Sequence, residues 1–179
     1  MVVYTFLVVG PHNSGKSCWI NRVCNGTYPA PNQYPNSFHC SFNNGKTIYV
    51  QFVESNTLLE QPQIDGIIVM FDLKSKESFD NALILKYKSI NLPTIFCANV
   101  ISNSWQGQIE AFLYLNKCKL VDTCKFVLMD GKSSYNLEKP FVYLIRQLQG
   151  NENLELTASS SLILFPSVLD DTLKRRGIF

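Results

Sequence analysis

Gly10-Pro11-His12-Asn13-Ser14-Gly15-Lys16-Ser17 is a complete G-x-x-x-x-G-K-S sequence, and its setting decides the fold. It begins where the apolar run Val2 to Val9 stops and leads into Cys18-Trp19-Ile20-Asn21-Arg22-Val23, which reads as a helix. Strand, glycine-bounded loop and helix in that order are the surroundings the motif requires. Four fixed positions arise by accident in roughly one chain of this size per hundred, and fewer still would follow an N-terminal strand. In such a loop, successive backbone N–H groups and the start of the helix point at phosphate oxygens, with the helix dipole added. The candidate nucleotide-binding residues are therefore Asn13, Ser14, Gly15, Lys16, Ser17 and Cys18. Lys16 would neutralise terminal phosphates, and the Ser17 hydroxyl would serve Mg2+, which prefers oxygen ligands and usually arrives with the phosphates.

Outward from the loop, strand and helix patterns alternate. Asn25 to Asn36, with Pro29, Pro31 and Pro35, reads as a loop. Ser37 to Phe42 and Lys46 to Val53 alternate around Asn43-Asn44-Gly45, where Asn-Gly signals a hairpin. Gly66 to Phe71 is a continuous apolar run of the kind found at the centre of a parallel sheet. A helix is expected over Ser75 to Ser89 with Ser75 as cap, then a strand over Pro93 to Ala98 and a helix over Ser104 to Lys117. A strand over Lys125 to Met129 and an amphipathic helix over Leu137 to Leu148 complete the pattern. The expected architecture is α/β: a mostly parallel, doubly wound sheet of about six strands with one antiparallel edge hairpin, flanked by helices. Residues 1–150 read as the domain, and residues 151–179 as a tail with an extended piece and a short helix from Ser167 to Arg176.

At 179 residues and 46% hydrophobic content, the chain can bury a sizeable core without staples. A formal net charge of +2 implies no general affinity for nucleic acid or acidic membrane. Lys174-Arg175-Arg176 is a solvated tail or a short docking element. The six cysteines form no C-x-x-C pair and no zinc spacing, so they read as reduced, mostly buried residues. No signal peptide, membrane-length apolar run or lipidation box is evident. A soluble, unanchored, intracellular monomer, cytoplasmic or nuclear, is expected.

Loop, hairpin, central strand and helix order together resemble the Ras superfamily of small GTPases, and in particular its nuclear-transport branch, the Ran-like proteins. The closest likeness lies in Ser133-Ser134-Tyr135-Asn136-Leu137-Glu138-Lys139-Pro140-Phe141, continuing to Leu148 and then through Gly150-Asn151-Glu152-Asn153-Leu154-Glu155. Ile67-Ile68-Val69-Met70-Phe71-Asp72 shares it, and the similarity runs from about Val3 to Glu155. The resemblance implies the small-GTPase fold, GTP or GDP with Mg2+ as ligands, and nuclear-transport factors as partners. It implies that Tyr28 lies against the edge of the base, where the alternative is an ordinary loop aromatic. Ser37 would be the switch hydroxyl that senses Mg2+ and the third phosphate. Asp130-Gly131-Lys132 would stand for the closing base loop, with the Gly131 N–H useful and Lys132 along the base or simply solvated.

Three departures from the family pattern bear on activity. Where the family has Asp-x-x-Gly and a water-positioning Gln, this chain reads Glu54-Ser55-Asn56-Thr57-Leu58. Phosphoryl transfer rests on positioning and electrostatics, so losing that Gln removes the main protein contribution to hydrolysis. The guanine-reading Asn-Lys-x-Asp becomes Asn99-Val100-Ile101-Ser102. Two lost charge-assisted hydrogen bonds cost about 3 kcal/mol, on the order of a hundredfold in affinity. His12 and Asn13 replace two glycines of the branch; Asn13 tolerates left-handed backbone angles, whereas His12 projects toward the place of an attacking water. The leading expectation is a divergent guanine-nucleotide binder with weak or absent hydrolysis. The alternative is a nucleotide-independent scaffold or decoy that competes for the same partners. A phosphate-loop kinase is disfavoured because Arg22, Arg146, Arg175 and Arg176 make no plausible lid.

Overall fold

The computed structural model describes residues 1–26, 36–57, 63–73, 75, 77–82, 92–99, 125–131 and 135–159. Seven strands are ordered β6-β5-β4-β1-β3-β2-β7. They are β1 (Val2–Val9), β2 (Ser37–Phe42), β3 (Thr47–Ser55), β4 (Gly66–Asp72), β5 (Thr94–Asn99), β6 (Lys125–Met129) and β7 (Leu156–Ser159). β1 pairs in parallel with β3 and β4, β4 with β5, and β5 with β6, so the sheet is mostly parallel. Helices α1 (Lys16–Asn25) and α3 (Lys139–Gln149) are joined among the described residues by α2, residues 77–82. The α/β class with a mostly parallel sheet is thus as the periodicity predicts.

Both faces of the sheet are covered, which is why its inner strands read as unbroken apolar runs. Trp19, Ile20 and Val23 of α1 and Phe141, Leu144 and Ile145 of α3 pack on Phe6, Val8, Phe52, Met70, Cys97 and Met129. On the opposite face, Phe79 and Ala82 of α2 meet Leu7, Val9, Val69, Phe71 and Ala98. Trp19 joins the two helices of the first face: its indole N–H donates to the Leu137 carbonyl at 3.2 Å, and its ring meets Phe52 edge-on at 5.0 Å. Ser75 caps as expected, its Oγ accepting from the Ser78 N–H at 3.0 Å. The helix expected over Ser104 to Lys117 lies outside the described residues, as does the end of that expected over Ser75 to Ser89.

Two expectations are corrected. Among the described residues the sheet has seven strands, not about six, and the β2–β3 hairpin is not its edge, because β7 pairs antiparallel with β2. The cause is a set of contacts distant in sequence. The Asn43 N–H donates to the Glu155 carbonyl at 2.9 Å, and the Glu155 N–H returns to Asn43 Oδ1 at 3.2 Å. Leu154 is buried in the first core, with its carbonyl held by Arg146 Nε at 2.7 Å. Residues just beyond α3 are thereby anchored before β7 starts.

The cysteines of the core make alkaline stability a measurable property. Burial pushes the Cys24 and Cys40 thiols up to about 12, from 9.0, and raises Cys97 as well. The folded protein keeps these protons while the unfolded chain releases them, so their contribution is intact below pH 9 and is lost as pH rises toward 12. At pH 10 the three thiols together should cost about 4 kcal/mol, a large share of the roughly 5–15 kcal/mol of a typical domain. Urea midpoints are expected to fall steeply between pH 9 and 10.5, with a slope about one third shallower in Cys97→Ala. An unchanged slope in that variant would contradict the buried thiol.

Candidate functional site

The parallel strands deliver their C-terminal ends to one edge of the sheet, the edge where ligands bind in open α/β sheets. β1 arrives there at Val9, in register with Val69 of β4 and Ser55 of β3. The chain then turns through Gly10 to Gly15 and starts α1 at Lys16. Two residues give the loop its path. Asn13 has φ 60°, within the tolerance of asparagine, and Gly15 has φ 90°, which glycine alone adopts readily. A Cβ on Gly15 would lie 2.1 Å from Asn99 Nδ2.

Lys16 is buried, and its Nζ donates to the Gly10 carbonyl at 3.0 Å and the Pro11 carbonyl at 2.9 Å. The ammonium therefore lies over its own loop. Burial lowers its pKa, while the Glu54 carboxylate acts in the opposite direction. Asn99 ends β5, and its Nδ2 donates to the Ser14 carbonyl at 2.9 Å. That bond fastens the loop to the neighbouring strands. Two buried atoms at the same place, Ser14 Oγ and Asn99 Oδ1, have no hydrogen-bond partner among the described residues. Leaving such atoms unpaired costs free energy that a ligand or water can recover.

Ser17 Oγ donates to Glu54 Oε1 at 2.7 Å. Glu54 stands opposite Val8, near the end of the strand beside β1, and so reaches the first turn of α1. Glu54 opens the segment that departs from Asp-x-x-Gly-Gln and is not among the site residues expected from the sequence. The usable signal was a carboxylate at the C-terminal end of a strand neighbouring the loop strand. Both oxygens are hard donors, and an octahedron with arms of about 2.1 Å has an edge of about 3.0 Å, so the pair would have to part by only about 0.3 Å to hold Mg2+. Among the described residues no group of three or more His, Cys, Asp or Glu side chains gathers as a metal centre. A small all-protein contribution of this kind suits a cation that arrives with phosphates.

Cys18 and Gly131 are neighbours: a Cβ on Gly131 would meet Cys18 Sγ at 3.8 Å. Burial raises the Cys18 thiol, with Arg22 lowering it and Asp130 raising it further. Asp130 pairs with Tyr135 through both backbone hydrogen bonds, at 3.1 and 3.2 Å, which closes the loop after β6. Asn13, Ser14, Gly15, Lys16, Ser17, Cys18, Asn99 and Gly131 thus collect around the start of α1. Ser37 does not join them. It lies opposite Gln51, three residues or about 10 Å back along β3 from Glu54, and its Oγ accepts from the Tyr49 hydroxyl at 2.6 Å. Tyr28, Lys132 and Leu58 lie outside the described residues.

One further contact crosses the mouth of the loop. His12 Nε2 and Asn56 Nδ2 are 3.1 Å apart, joining the loop to the two exposed residues after β3. Nothing in the spacing of the sequence foretold this pair. No protein-family model matches the chain. No described helix is long and apolar enough to cross a membrane.

Proposed function

We propose that this chain is a divergent small-GTPase-fold protein that binds guanine nucleotide, GTP or GDP, at Gly10 to Ser17 and hydrolyses it weakly or not at all. The observation that carries the proposal is the buried Lys16 ammonium. It has three donors, and among the described residues two of them go to loop carbonyls, at 3.0 and 2.9 Å. The third donor is left for an anion at the head of a helix, beside the orphaned Ser14 Oγ. Loop N–H groups would hold the phosphates, Lys16 would neutralise them, and Ser17 with Glu54 would hold Mg2+. That ion, when bound, supplies neutralisation of phosphate charge.

Hydrolysis is weak in this reading because Asn56 and Thr57 follow Glu54 in place of a glycine turn, and because Leu58 has no hydrogen-bonding group to orient water. Guanine selectivity is reduced too. Val100 and Ser102 stand where the family has Lys and Asp, while Asn99 gives one of its two amide N–H donors to the Ser14 carbonyl and so supports the loop. The partner class, nuclear-transport factors, rests on the resemblance in and after α3.

Calorimetric titration with GDP, GTP and ATP, each with and without Mg2+, tests the reading. Micromolar or tighter binding of guanine nucleotides supports it, with ATP weaker by a modest factor. The nucleotide-independent scaffold has one observation in its favour, the Ser17–Glu54 bond that satisfies the metal side internally. Absence of binding by all three nucleotides would establish that alternative.

A further inference from the structure

We infer that His12 and Asn56 form a latch across the place of the third phosphate, so that the site selects a nucleoside diphosphate over the triphosphate. This rests on the reading that the loop holds a nucleotide. A phosphate-loop lysine reaches the terminal phosphates, and the hydroxyl that follows it marks the metal side. Here Lys16 Nζ lies against the Gly10 and Pro11 carbonyls, one residue before His12. Ser17 is held by Glu54, two residues before Asn56. A terminal phosphate must therefore sit between the Pro11–His12 side of the loop and the Glu54–Asn56 exit of β3.

Across that space the His12 and Asn56 nitrogens are 3.1 Å apart. A phosphate oxygen accepting from both would need them about 5 Å apart, since each N···O distance is about 2.9 Å. The pair must open for a third phosphate and can stay closed over two. Both latch residues are exposed, so their truncation leaves the core untouched.

The test is titration of the wild type, His12→Ala and Asn56→Ala with GDP and GTP, and with pyrophosphate and tripolyphosphate as probes that carry no base. Wild type is expected to prefer GDP over GTP, and pyrophosphate over tripolyphosphate, at least tenfold. In either variant the ratio should fall to within threefold, through tighter binding of the longer ligand. Equal affinities in the wild type, or a preference unchanged in both variants, would overturn the latch and leave the nucleotide reading standing. Loss of GDP binding in both variants would also overturn it, because a diphosphate does not need the latch. If neither the nucleotides nor the polyphosphates bind the wild type, the nucleotide reading falls and the latch with it.

Discussion

Lys16→Ala is expected to weaken GDP binding at least a hundredfold while moving the stability of the ligand-free protein by no more than about 1 kcal/mol. An ammonium on a phosphate makes a charge-assisted hydrogen bond of roughly 1.5–3 kcal/mol, and its charge also attracts the neighbouring phosphate oxygens; about 3 kcal/mol in all corresponds to a hundredfold or more. Without ligand, opposing effects nearly cancel. Truncation forfeits the bonds to the Gly10 and Pro11 carbonyls but also removes a buried charge. Burial lowers the Lys16 pKa below 10.5, so the unfolded chain binds that proton more readily. The charged side chain therefore costs folding free energy below its lowered pKa, and that cost fades as pH rises through it toward 10.5. A bound phosphate favours the protonated amine, so binding takes up a proton once free Lys16 begins to titrate. Affinity should decline on the alkaline side at lower pH than an ordinary lysine would require, and Lys16→Ala should lack that decline. Calorimetry in buffers of different ionisation enthalpy measures both the affinity and the proton uptake. An affinity within fivefold of wild type would show that the loop is not a phosphate site.

The parts of this molecule legible in its sequence are those whose signal is local. The glycine-bounded loop between an apolar run and a helical pattern places β1 and α1, Asn44-Gly45 turns β2 into β3, and uninterrupted apolar runs mark β4, β5 and β6. β7 was not legible as a strand of the sheet. Leu156-Thr157-Ala158-Ser159 alternates over only four residues, with small side chains at three of them, and what docks it is Asn43, more than a hundred residues away in the chain. The site divides the same way. Lys16 and Ser17 follow from the motif, whereas Glu54 enters by reaching Ser17 across 37 positions. The resemblance implies a switch hydroxyl at Ser37, beyond the proline-rich loop. Strand register turns that hydroxyl toward Tyr49 instead. The motif places His12 toward an attacking water, whereas its partner Asn56 becomes apparent once β1 and β3 lie side by side.

Gly10→Ala is expected to destabilise the protein by more than about 3 kcal/mol, the largest single-residue effect on folding argued for this loop. A Cβ at position 10 would lie 2.0 Å from the Met70 carbonyl oxygen, 3.0 Å from its carbon and 3.1 Å from Ser14 Oγ. The first of these neighbours is main chain, so no rotamer change relieves the clash. Met70 is fully buried in β4, between β1 and β5, and carries core on the face shared with Trp19 and Phe141. Relief would require moving β4 or lifting the loop from the sheet edge, and either breaks packing that places Lys16. Clashes in close-packed interiors cost about 1–3 kcal/mol where side chains can adjust, and more where the backbone must. Gly45 is the matched control. It has φ 75° but nothing within 4 Å of an added Cβ, so Gly45→Ala should cost about 1 kcal/mol from backbone strain alone. Urea midpoints for the two variants separate the causes. A Gly10→Ala protein as stable as Gly45→Ala would contradict the close approach of the loop to β4, and with it the position of every loop group that follows Gly10.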